Sequence, residues 1–262
     1  MIIFSAIIPH SPLLIPEIGK DNLEKLAGTT NALKNISGHF YASFPETVVI
    51  ISPHGDVNKN SFILNFAPKF QGNFSEFGHV NEKPQYYGDN ELSYKIKSRL
   101  KTNFPMQLTT IESLDYGVLV PLHYLSERNQ DIKILPISPA SSLSAAENFA
   151  FGQAVNDELL TSSKRIAVIA SIETSNKLSK ISPAGYEAGS KKFDTVMIDL
   201  ITKQKNKELL KINPEKLIKF GWEELNALAL FLGIMSEKKH TPQLLSYENP
   251  FGVGHLVMEF EM

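Results

Sequence analysis

The chain has 262 residues, 42% of them hydrophobic and 10% aromatic, which is enough apolar material for a sizeable core and too much for a disordered segment. A formal net charge of -2 gives no basic field to attract nucleic acid or an anionic membrane surface. The sequence has no cysteine, which excludes disulfides, thiolate catalysis and Cys-ligated zinc or iron–sulfur centres, so any metal must be held by His, Asp, Glu, backbone or water.

The N-terminus starts directly in strand-like sequence without a basic leader, and no apolar run reaches the roughly 20 residues of a membrane span. A cytoplasmic location is the expectation.

In chain order, residues 2–8 form an unbroken apolar run, the pattern of a strand covered on both faces. The run ends in Pro9-His10-Ser11-Pro12. Residues 21–44 predict one long helix with Asp21 as N-cap. A second buried strand, residues 47–51, ends in Ser52-Pro53-His54-Gly55 and repeats the first pattern. A strand is predicted over 61–66, and a long irregular loop over 68–87. A helix over 90–104, a strand over 107–111 and a helix over 118–125 follow. A buried strand over 132–137 precedes a helix over 144–160, in which Ser144 and Glu147 have capping-box spacing. The strand over 165–171 runs into Ile172-Glu173-Thr174-Ser175-Asn176. Helices over 186–202, 206–212, 214–220 and 223–235 lead to closing strands over 244–247 and 255–261. The alternation predicts a single α/β domain over residues 1–262, with a central, mostly parallel or mixed sheet and helices on both faces.

Either Pro/His strand end alone reads as a turn residue satisfied by a backbone carbonyl. The repetition is what points to chemistry. Open α/β sheets bind ligands at the carboxyl ends of their strands, and two neutral imidazoles converging there are two-thirds of a facial metal triad. Convergence is expected if the two strands are neighbours. His39, His79, His240 and His255 fall at a helix end, in a loop and at sheet margins, and read as structural or exposed. His123 lies about two helical turns, or about 10 Å, from Tyr116.

With these segments in order, the chain resembles the class III extradiol ring-cleavage dioxygenase family of the subunit-B (LigB-like) type, whose fold the Memo proteins share. The resemblance covers most of the chain. It rests on the two Pro/His motifs and Asn73-Phe74-Ser75-Glu76-Phe77-Gly78. It also rests on Asp115-Tyr116-Gly117-Val118-Leu119-Val120-Pro121-Leu122, Ser182-Pro183-Ala184-Gly185-Tyr186, and the run Tyr247-Glu248-Asn249-Pro250-Phe251-Gly252-Val253-Gly254. It implies a ferrous iron site on His10, His54 and a late glutamate, Glu223 or Glu224. Adjacent helical residues point about 100° apart, so only one of the two faces the metal; the local motif favours Glu223. Another divalent metal, or none, stays open. Ser11, Pro12 and Gly55, which flank the histidines, are candidate substrate-binding residues. The implied partner is a small aromatic diol, and a homodimer is implied by the resemblance alone.

The sequence departs from that family at two places. Active members carry a histidine as acid/base where this chain has Asn176, and an amide does not transfer protons near neutral pH. They also often carry Asp-His-Gly where this chain has Asp115-Tyr116-Gly117. Asn176, Tyr116 and Glu173 are therefore the candidate catalytic positions, with Glu173 as a substitute base. Three readings follow: a dioxygenase with altered proton transfer, a degenerate Memo-like metal- or small-molecule-binding protein, and a hydrolase acting through a metal-bound water.

Overall fold

The computed structural model describes residues 1–55, 59–80, 83–127 and 131–262. In chain order the elements are β1 (Ile2–Ile8), α1 (Pro16–Gly19), α2 (Ala27–Ser43), β2 (Thr47–Ile51), β3 (Phe62–Asn65), β4 (Lys69–Gln71), β5 (Gln85–Gly88), α3 (Asn90–Leu100) and β6 (Met106–Thr109). Then come α4 (Tyr116–Leu125), β7 (Lys133–Ser138), α5 (Ala145–Leu160), β8 (Ile166–Ser171), α6 (Ser190–Thr202), α7 (Asn206–Leu209), α8 (Pro214–Phe220), α9 (Leu225–Met235), β9 (Thr241–Glu248) and β10 (His255–Glu261). No helix among the described residues is long and apolar enough to cross a membrane.

One sheet runs β4-β5-β7-β2-β8-β1-β10-β9, with β3 paired to β7 and β6 paired to β3. Its centre, β5, β7, β2, β8 and β1, is parallel, and β4, β10 and β9 join it antiparallel. The sheet is therefore mixed with a parallel heart, as the alternation of elements requires. The unbroken apolar runs follow from the double covering. Along β2, Val49 and Ile51 belong to the core shared with α5 and α9, whereas Val48 and Ile50 belong to the core shared with α2 and α4. Helices α5 and α9 cross at a glycine pair. A Cβ on Gly152 would lie 2.1 Å from the Leu230 carbonyl, and one on Gly233 would lie 2.1 Å from the Phe149 carbonyl, so only glycine permits this approach.

Three expectations need correction. Residues 21–44 are not one helix capped by Asp21. A 3-10 segment, Lys20–Leu26, precedes α2, and the free amides of Gly28 and Thr29 at the start of α2 donate to the Glu248 carboxylate of β9. A cap delivered from 220 positions away leaves no local sequence signal. The predicted loop over 68–87 contains β4 and β5, a short antiparallel pair that adds a half-exposed edge to the sheet; residues 81–82 of that stretch lie outside the described residues. The helix predicted from 186 starts at Ser190, because Gly189 adopts a left-handed conformation with φ 99°. The capping box of α5 is formed as expected by Ser144 and Glu147.

Candidate metal centre at the strand ends

β1 and β2 are not neighbours, since β8 lies between them. Their ends are two ladder spacings apart, about 9–10 Å. The two imidazoles nevertheless meet across the end of β8, with 3.0 Å between His10 Nε2 and His54 Nε2. Ser171, the last residue of β8, supports this from below: its hydroxyl is 2.9 Å from His10 Nδ1, which leaves Nε2 facing the site.

The carboxylate that joins them belongs to Glu224. Its Oε1 lies 3.5 Å from His10 Nε2 and 4.0 Å from His54 Nε2. Glu223, the residue favoured from the sequence, is exposed and turned to the Asn176 amide, 3.5 Å away. The helix expected to begin at 223 begins at Leu225, so both glutamates sit in the turn before it, and tertiary contacts decide which one points inward. The Trp222 indole is buried and donates to Asp194, and the Glu173 backbone N–H donates to Glu224 Oε2 at 2.8 Å.

These three ligand atoms fit a first-row divalent metal. With bonds of about 2.1 Å, donors on one metal are separated by about 3.0 Å at octahedral angles and about 3.4 Å at tetrahedral angles. The His10–His54 separation of 3.0 Å matches the octahedral value, and the carboxylate, at 3.5 and 4.0 Å from the two nitrogens, needs to close in by about half an ångström to share the metal with them. No other group of three such ligand residues comes together among the described residues.

The electrostatics of the cluster favour positive charge. Burial alone would lower the pKa of His10, but Glu224, then Glu173 and Asp115, overcome it and raise the value to about 9. His54 is lowered, first by burial and then by the charge on His10. A neutral His10 is required to ligate metal, so binding must expel the proton it carries below pH 9. At pH 7 to 8, addition of Zn²⁺ as a redox-inert probe is expected to release about one proton per metal, with affinity rising about tenfold per pH unit up to about pH 9. A pH indicator in weak buffer reads this directly, and metal uptake without proton release would contradict the assignment.

Tyr116 opens α4 and stacks on His54 at 4.4 Å, with its hydroxyl 3.0 Å from His54 Nε2. Burial, then Glu173 and Glu224, push its pKa up to about 12, so it remains a neutral phenol. Asp115 caps α4 by accepting from the Val118 amide and from the Ser52 hydroxyl, and Ser52 Oγ in turn accepts from the His54 amide. A Cβ on Gly117 would lie 2.4 Å from Ser52 Oγ and 3.3 Å from the His54 ring, so glycine keeps this junction open.

Glu173 lies in the loop after β8. Burial first, and then the charge of Glu224 against the opposing effect of His10, raise its pKa to about 7. Its Oε1 is 3.8 Å from Nε2 of His255, and that oxygen and both His255 ring nitrogens are buried without hydrogen-bond partners. His255 is 1% exposed, and burial lowers its pKa to about 4. It lies at the start of β10, not merely at a sheet margin but against the site, and its one local signal is the Gly252-Val253-Gly254 turn, which brings Gly254 against Thr174. Of the remaining candidates, Gly55 lines a cleft beside His54, whereas buried Ser11 and the 3-10 turn opening at Pro12 line no part of it.

A family model described as the catalytic LigB subunit of aromatic ring-opening dioxygenase matches residues 5–258. Protein CA_C1420 of Clostridium acetobutylicum is 28% identical over 265 residues, covering 97% of this chain and 56% of that protein, so the chain spans about half the length of this relative. The crystal structure of uncharacterized protein JW3007 from Escherichia coli K12 matches with a TM-score of 0.69 at 16% identity, covering 98% of this chain and 99% of that one, a likeness of fold. With the family model matched across nearly its whole length, the chain belongs to the LigB family of the aromatic ring-opening dioxygenase superfamily.

Proposed function

We propose that the protein is a non-haem iron(II)-dependent extradiol dioxygenase that opens the ring of a catechol-type diol with O2. The observation that carries the proposal is the convergence of His10, His54 and Glu224 at the carboxyl ends of parallel strands, two imidazoles and one carboxylate within 4.8 Å of one another. Ferrous iron held by these three residues supplies open coordination positions and one-electron chemistry.

The protein's own part is to hold the diol and move its protons. Asn176 is turned to Glu223 and contributes no proton acceptor. Glu173 takes that role: burial raises its carboxyl to a pKa of about 7, which brings it into the range where a proton is readily exchanged near neutral pH, so it accepts a proton from a diol hydroxyl and returns it to the product. Tyr116, a neutral phenol beside His54, donates a hydrogen bond toward the reacting oxygen atoms.

The test is oxygen uptake by anaerobically iron-loaded protein against a panel of catechols. Expected is one O2 consumed per diol, with the absorbance of a ring-opened product. Glu173→Gln should lower turnover by roughly 10² to 10⁴ while metal content stays unchanged. No uptake with any diol by fully iron-loaded protein would overturn the proposal.

A further inference from the structure

A cleft of about 300 Å³ opens beside the triad, with His54 on its inner wall. Besides His54 and Ser52, its polar lining comprises Ser113, Ser138, Thr109, Asn65 and the two acidic residues Asp115 and Glu76. Among the described residues it contains no lysine or arginine. The Thr109 hydroxyl is buried with no hydrogen-bond partner. Asp115 spends its Oδ1 on the α4 cap and on Ser52, and its charge acts on the His10 and His54 imidazoles rather than on any lysine or arginine of the cleft. Glu76, in the turn Ser75–Phe77, sits next to Phe77, whose ring meets Tyr116 edge-on at 5.4 Å, so its charge is held at the mouth of the site. The field of both carboxylates reaches Tyr116, where they help to hold the phenol proton.

Of the three triad residues His54 lines this cleft, so the cleft is the space adjoining the triad into which the substituent of a bound diol would extend. An anionic arm would meet two carboxylates and no lysine or arginine; a cationic arm would meet both charges and the Ser113 and Ser138 hydroxyls. We infer that the cleft receives the side arm of the ring substrate and that it selects a diol with an ammonium-bearing arm over one with a carboxylated arm. The inference rests on the reading of the triad as the diol-binding centre.

The experiment measures binding without turnover, by anaerobic calorimetry on the Zn²⁺-loaded protein, with unsubstituted catechol, an aminoethyl-catechol and a carboxyethyl-catechol at low ionic strength. Expected is that catechol binds, and that the aminoethyl compound binds at least about tenfold tighter than the carboxyethyl compound, a ratio that shrinks in high salt. Glu76→Gln, a change at an exposed position, should reduce that ratio severalfold. If catechol binds but the carboxyethyl compound binds as tightly as the aminoethyl one, or if the ratio is the same in Glu76→Gln, the inference is overturned and the diol reading stands. If none of the three binds to metal-loaded protein, the diol reading fails and the inference falls with it.

Discussion

Glu224→Ala is expected to lower the affinity for divalent metal by at least about a hundredfold, whereas Glu223→Ala should leave it within a few-fold of the native value. The two residues are adjacent and chemically identical, so the contrast isolates direction from composition. Glu224 reaches both histidine Nε2 atoms with Oε1 and is held by the Glu173 amide through Oε2. Removing it also lowers the pKa of His10, which eases the loss of its proton and offsets a small part of the cost of the lost ligand. A lost outer hydrogen-bond partner typically costs 10–100-fold in metal affinity, and loss of a ligand should exceed that range. Calorimetric titration with Zn²⁺ reads both variants. Equal losses in the two, or a larger loss in Glu223→Ala, would mean that the turn before α9 presents a different carboxylate.

The largest effect on stability is expected at Asp194. This carboxylate is fully buried in α6 and accepts hydrogen bonds from the Thr174 hydroxyl at 2.6 Å, the Ser175 amide at 3.2 Å, the Trp222 indole at 2.7 Å and the Tyr247 hydroxyl. It thereby ties together the loop carrying Glu173, the turn carrying Glu224, and strand β9. Burial raises its pKa, a sign of what it costs to keep a charge there, and four donors offset that cost. Asp194→Ala strands all four donors. An unsatisfied buried donor costs about 1–3 kcal/mol, and with partial relaxation the expected loss is about 3–5 kcal/mol. In a domain of this size that corresponds to a fall in melting temperature of roughly 6–20 °C. Asp194→Asn keeps one acceptor oxygen and should lose less. Thermal unfolding that places Asp194→Ala within 1 °C of wild type would show that the loops are held by other contacts.

The two histidines were legible because a strand end is written locally: an apolar run, a proline and an imidazole, twice. The central strands were legible for a related reason, since a strand covered on both faces cannot alternate. What lay beyond the sequence was decided by contacts between distant segments. The choice between Glu223 and Glu224 depends on an amide from the loop after β8 and on an indole anchored to α6. Asp194 sits in an amphipathic helix, where an isolated aspartate reads as surface. His255 opens a strand that pairs with β1 through residues further along, so nothing near it in sequence shows that it comes to lie 3.8 Å from Glu173. β4 and β5 were missed because a short edge pair with one buried position in each strand carries too little apolar pattern to be distinguished from a loop. The meeting of His10 and His54 was expected to need adjacent strands; the side chains instead cross over β8, whose last residue, Ser171, is small enough to pass beneath them and still orient one ring.

The most direct measurement is the metal content of the protein after anaerobic incubation with Fe²⁺ and removal of excess, for wild type and for His10→Ala/His54→Ala. Close to one iron per chain is expected in the wild type and none in the double variant. A wild type that stays free of iron while folded, or a double variant that retains it, would contradict the assignment of the centre to His10, His54 and Glu224.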